Sequence, residues 1–120
     1  MSLTNTGVIS RDVNGVLVLG FTRDAQARAS LEVVRFFFIH HLLESTAGQH
    51  RVLIDLGGVV SLDSSCLGPL VQKLKSVQEH DGRLVLAAVD SPALREIFAL
   101  TRFDKVFPVF PTVAEGLASF

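Results

Sequence analysis

The apolar positions of this chain change period several times. Val8-Ile9-Ser10 and Val16-Leu17-Val18-Leu19 are β-like, and Asp12-Val13-Asn14-Gly15 lies between them. Asn-Gly supplies the positive φ that a tight turn needs, so a β-hairpin opens the domain, with Gly20 ending its second strand. Residues 1–7 carry no such pattern and are expected to fray. From Ala25 to about Glu44 the period becomes helical. Ala27, Leu31, Val34, Phe38 and Leu42 share one face, Asp24 or Thr22 serves as cap, and Gly48 closes the element.

Two nearly continuous apolar runs follow, Arg51–Leu56 and Arg83–Val89, each read as a strand buried on both faces. Between them Leu67, Leu70, Val71, Leu74 and Val77 fall at helical spacing, with Gln72, Lys73, Lys75 and Gln78 on the other side and Asp81-Gly82 as the stop. Ser91-Pro92 pairs a cap with proline at the first helical position and starts a third helix, which fades by Thr101. Lys105–Phe110 reads as a short last strand, at an edge or strand end because of Pro108. Thr112 caps a final helix with Val113, Leu117 and Phe120 on its apolar side. The order β-β-α-β-α-β-α-β-α predicts a single α/β domain over residues 1–120. It has a mixed, mostly parallel sheet of about five strands, entered by the hairpin, and about four helices.

Composition narrows the function. The chain has 120 residues, 48% of them hydrophobic and 19% charged, which suits a folded globule. Its net charge of −1 includes no basic run, which argues against direct binding of nucleic acid. Nine Phe with neither Tyr nor Trp disfavour stacking on bases or sugars. A single cysteine allows no disulfide within the chain and no cysteine-based metal site, and a cytoplasmic location is expected. The first residues lack the apolar core of a signal peptide. The longest apolar run, near Val33 to Leu43, is broken by Arg35, His40 and His41, so membrane insertion is not expected.

Chemistry is concentrated at Asp63-Ser64-Ser65-Cys66, which follows an apolar strand and precedes a helix. In such a sheet, sites collect outside the carboxyl ends of the strands. A helix N-terminus offers unpaired N–H groups and about half a positive charge, so it stabilises an anion or a phosphorylated hydroxyl. A serine there also serves simply as a cap. No Gly-x-Ser-x-Gly elbow is present, and no His has an orienting acid at a recognisable spacing. His40 and His41 point about 100° apart on a helix, which does not suit a metal pair. Cys66 has no resolving partner and reads as a packing residue. The Gly57-Gly58 pair lacks the Lys-Ser/Thr of a phosphate loop. Neither catalysis nor a cofactor is expected.

From Arg51 to about Leu117 the chain resembles the STAS domain family, of the bacterial anti-sigma factor antagonist type. The resemblance centres on "VLIDLGGVVSLDSSCLGPLVQKL" and continues through "GRLVLAAVDSPALREIFALTRFDKVFPVFPTVAEGL". It implies regulation by partner switching. Ser64 matches the family's phosphoacceptor, with Ser65 as a second candidate hydroxyl. Asp63, Ser65, Cys66 and Leu67 would form the docking loop around it. The unmodified protein would capture an anti-sigma factor that is also a serine kinase, and a phosphatase would reset the modified form. Cys66 replaces the family's usual Gly, and Pro69 enters the first turns of the helix. The acid that the family places near the phosphoacceptor at the end of the hairpin corresponds to Asp24, displaced by one. An alternative within the family is a STAS subunit that is not phosphorylated, belonging to a stressosome-like, sensor or transporter-associated assembly. Independently of the family, Val33–Ile39 is apolar nearly all round its helix. Phe36 or Phe37 is therefore a candidate for a partner surface or a homodimer contact.

Overall fold

A computed structural model describes residues 7–120; apart from Gly7, the stretch expected to fray lies outside the described residues. Strands β1 (Val8–Val13) and β2 (Val16–Phe21) pair antiparallel with Val13 opposite Val16. The turn residues Asn14 and Gly15 both take positive φ, 53° and 84°. Asp12 Oδ1 accepts the Gly15 N–H at 3.1 Å, which holds the turn closed. The second strand runs past Gly20 to Phe21, because Gly20 stays in the ladder opposite Ile9. Strands β3 (Arg51–Asp55), β4 (Arg83–Ala87) and β5 (Val109–Phe110) then add in parallel, giving the order β1-β2-β3-β4-β5.

Helix α1 covers residues 31–45 in three parts: Leu31–Phe36, a π-helical turn Phe37–His41, and Leu42–Ser45. The others are α2 (Ser64–Glu79), α3 (Pro92–Thr101), α4 (Phe103–Val106) and α5 (Val113–Ala118). The period-2 alternation of β3 assigns the layers. Val52 and Ile54 join Phe38, Leu42, Leu70, Leu74 and Leu94 in a core beneath α1, α2 and α3. Leu53 faces the other way, with Val85 and Ala87, under Val113 and Leu117 of α5. Each fully buried Val, Leu, Ile or Phe among them contributes about 1.5–3 kcal/mol by leaving water.

Three features differ from the periodicity. The helix expected from Ala25 starts only at Leu31, and its cap is Ser30, whose hydroxyl accepts the Val33 N–H at 3.3 Å. Asp24 instead closes a turn of its own. Its Oδ1 accepts the N–H groups of Gln26 (2.8 Å) and Arg28 (3.0 Å), and Ala27 is left-handed at φ 62°. An Asp side chain that satisfies nearby N–H groups offers the backbone an alternative to helix. Ala27 and Leu31 are consequently exposed.

The last expected strand is shorter, because residues 103–106 form α4. Left-handed Arg102 ends α3, and the ring of Phe103 then packs between Phe98 and Phe107, at 6.2 and 5.4 Å. The described residues therefore form five helices.

Lys73, expected on the solvent side of α2, is only 3% exposed. Its Nζ donates to the Thr46 carbonyl at 2.7 Å, placing a cation at the C-terminal end of α1. Burial holds its pKa below the ordinary lysine range.

Candidate functional site

The β3–α2 connection carries the residues that the sequence marks out. It is fastened from three sides. Asp55 Oδ1 accepts the Gly57 N–H at 2.9 Å, Gly58 O accepts the Ala29 N–H at 2.9 Å, and the Ser91 hydroxyl donates to Val60 O at 2.8 Å. Val59 and Leu62 are buried beneath it. The start of α2 is therefore held by the fold.

The cap of α2 is Asp63, not a serine. Its backbone is extended, Oδ1 accepts the Ser65 N–H at 3.0 Å, and Oδ2 meets Arg35 Nε of α1 at 2.9 Å. Hydrogen bonding from Ser65 holds the Asp63 carboxyl below its ordinary pKa; burial opposes it, and the Arg35 hydrogen bond and charge add to the lowering. With the cap supplied by Asp63, Ser64 and Ser65 occupy the first two helical positions and both side chains are exposed. Asp63 already takes the Ser65 N–H with Oδ1 and the Cys66 N–H with its carbonyl, so an anion on either hydroxyl would be stabilised chiefly by the positive end of the helix.

Cys66 is 1% exposed and belongs to the main core. Burial, reinforced by the charge of Asp63, pushes its thiol up to about 11. A thiol so protonated is a packing group and not a nucleophile. Leu67 is half-buried and packs against the same core. Pro69 lies inside α2, where its missing N–H leaves the Ser65 carbonyl without an α-helical donor. The other end of α2 carries His80, about 24 Å away for 16 residues at 1.5 Å each.

Of the remaining predicted residues, Asp24 stays within its own turn: among the described residues its hydrogen bonds run to residues 26–28. Phe36 and Phe37 separate sharply. Phe37 is 3% exposed and packs edge-on against Phe21 at 5.7 Å, so it fills the core and has no surface role. Phe36 is 57% exposed, with the rings of His40 and His41 at 4.8 and 5.0 Å. An ideal α-helix would swing His41 away from His40. The π turn, closed by the Leu42 N–H on Phe37 O, brings residue i+5 onto residue i, and both imidazoles flank one ring. Among the described residues, no cluster of three His, Cys, Asp or Glu side chains could hold a metal ion. No helix among them is long and apolar enough to cross a membrane.

The residue not anticipated is Arg35. Its sequence signal is an arginine interrupting an apolar stretch of helix, which shows that this side points outward but not toward which partner.

The fold, a hairpin-led and mostly parallel sheet flanked by helices, is shared with known proteins. The model of the STAS domain matches residues 33–116, and the chain belongs to that family. A candidate anti-sigma factor antagonist of Thermotoga neapolitana is 31% identical over 70 residues, 58% of this chain and 61% of that protein. The candidate anti-sigma factor antagonist BtrV of Bordetella bronchiseptica is 32% identical over 73 residues, 61% of this chain and 62% of its own length. Each match thus spans less than two thirds of the relative. A STAS domain anti-sigma-factor antagonist structure from Planctomyces limnophilus superposes with a TM-score of 0.77 at 31% identity, over 93% of this chain and 96% of that one. An anti-sigma factor antagonist from Mycobacterium paratuberculosis gives 0.72 at 25% identity, over 93% and 91%.

Proposed function

We propose that this chain is an anti-sigma factor antagonist that works by partner switching, with Ser64 as its phosphoacceptor. The observation that carries the reading is an exposed serine hydroxyl at the first position of a 16-residue helix whose cap is already supplied by Asp63. The STAS family and the names of its relatives supply the partner class. The unmodified surface around Asp63, Ser64, Ser65 and Leu67 binds an anti-sigma factor that is also a serine kinase, and the sigma factor goes free. The kinase moves the γ-phosphoryl group of ATP to Ser64 Oγ, ADP leaves, and the hydroxyl proton passes to a base of the kinase. The added charge of about −1.5 to −2 beside Asp63 then breaks the complex by repulsion and desolvation. A phosphatase restores the hydroxyl. The role needs no catalytic group of the chain's own and suits a cytoplasmic regulator.

Purified chain, its kinase partner and ATP test this directly. Mass spectrometry is expected to place phosphate on Ser64, and Ser64→Ala is expected to abolish it. Phosphate on neither Ser64 nor Ser65 would sink the proposal.

A second reading is favoured by one observation, the exposed Phe36 ring between two imidazoles. In it the chain is an unphosphorylated STAS subunit docked through α1. Phe36→Ser would then abolish assembly while Ser64→Ala would leave it intact.

A further inference from the structure

The ion pair between Arg35 and Asp63 bridges α1 and α2 beside the proposed phosphoacceptor. Arg35 Nε lies 2.9 Å from Asp63 Oδ2, with the two side chains 62% and 48% exposed. This exposure makes the pair weak and exchangeable. Asp63 holds Ser65 N with its other oxygen, so the carboxylate keeps its capping role whether or not Arg35 stays. Ser64 is the next residue. A phosphoryl group on its hydroxyl would add a second anion within one residue of Asp63, competing for the same cation. That competitor has the larger charge and three acceptor oxygens, which guanidinium groups bind in bidentate fashion.

We propose that Arg35 is the internal receiver of the modified serine: phosphorylation of Ser64 draws its guanidinium from Asp63 onto the phosphoryl group. The proposal rests on the reading of Ser64 as phosphoacceptor and states what the modification does inside the protein. Before it, Arg35 and Asp63 cancel, and the start of α2 is nearly neutral. After it, Asp63 loses its cation and the trio carries roughly −1.5 to −2. The partner meets a changed charge at the start of α2. Arg35 acts as a positioning residue, since it sets where the phosphoryl group sits and how much of its charge remains on view.

The test uses the whole chain with phosphoserine incorporated at position 64 during synthesis, so no kinase takes part. The second ionisation of the phosphate is followed by phosphorus NMR in the wild-type background, in Arg35→Gln and in Arg35→Lys. The wild-type midpoint is expected below the ordinary value near 6. Arg35→Gln raises it by about half a unit, roughly a threefold change in proton affinity, and Arg35→Lys recovers part of the shift. Equal midpoints in wild type and Arg35→Gln overturn the role of Arg35. A kinase reaction that leaves Ser64 unmodified overturns the reading of the phosphoacceptor instead, so the two failures are told apart.

Discussion

The two halves of α2 hold charged groups in opposite ways. At the N-terminal end, Asp63 and Arg35 pair in the open, and the serines beside them are exposed. In its C-terminal half, Lys73 is sealed in, its ammonium on the Thr46 carbonyl. Thr46 is itself fully buried and its hydroxyl donates to Leu42 O at 2.6 Å. Near it the rings of His50 and His80 stack 4.1 Å apart and 3° from parallel. Gly82 lets the chain pass against the His50 backbone, where any Cβ would collide. An exposed pair is held weakly and can be exchanged, whereas a buried cation is held strongly because removing its partner leaves an unsatisfied group. One helix thus joins a surface suited to modification to a half whose charges fasten the fold.

The largest effect that would sharpen this contrast is on partner binding. Phosphorylated Ser64 is expected to weaken the complex with the anti-sigma factor at least a hundredfold, about 3 kcal/mol, by like-charge juxtaposition. Its thermal midpoint should stay within a few degrees of the unmodified chain. Calorimetric titration measures the first and thermal denaturation the second. A large fall in stability on modification would erase the distinction between the halves.

Next in size, Lys73→Ala is expected to cost about 2–3 kcal/mol, from a lost charge-assisted hydrogen bond and the packing of the lysine stem. Lys73→Met should cost less, because the stem is replaced. Urea denaturation of both variants checks the order, and neither should alter partner affinity while folded. A smaller loss belongs to the other half: Asp63→Ala removes the cap and should lower the thermal midpoint by about 3–5 °C. Asp63→Asn, which can still cap, should recover most of it.

The contrast also explains how far the chain could be read in advance. Strand runs, the Asn14-Gly15 turn and the Ser91-Pro92 start all express local physics, and the sheet follows from them. Ser64 and Asp63 were legible as a polar group at a strand-to-helix junction, although which of them caps depended on backbone geometry. Lys73 departs from its pattern because a lone cation on a helix is ordinarily solvated, and only the end of a distant helix supplies its acceptor. Arg35 was illegible as a partner of Asp63 for the same reason, since 28 residues separate them. Phe36 and Phe37 are adjacent and chemically identical; the rotation of α1 over the sheet alone decides that one is core and the other surface. The π turn that moves His41 had no sequence signal at all.

The smallest expected effect distinguishes the two halves by pH. Burial, then the charges of His80 and Lys73, hold the His50 imidazole below its ordinary pKa. Its Nδ1 is buried without a hydrogen-bond partner among the described residues, while the Nδ1 of His80 meets Ser76 O at 2.8 Å. Because the folded value lies below the unfolded one, the unfolded chain binds more protons between them. The stability that His50 contributes is present above about pH 6.5 and declines as the pH falls toward the folded value. Asp63 is also depressed, so its contribution is present above the unfolded carboxyl value near 3.9 and is lost only in more acid solution. Lowering the pH from 7.5 to 5.5 should therefore loosen the Lys73 half first. The urea midpoint of the wild type should fall across that interval, and His50→Gln should flatten the fall, whereas Asp63→Asn should leave its slope unchanged. An equal slope in wild type and His50→Gln would remove His50 as the source and leave the two halves of α2 indistinguishable in their response to protons.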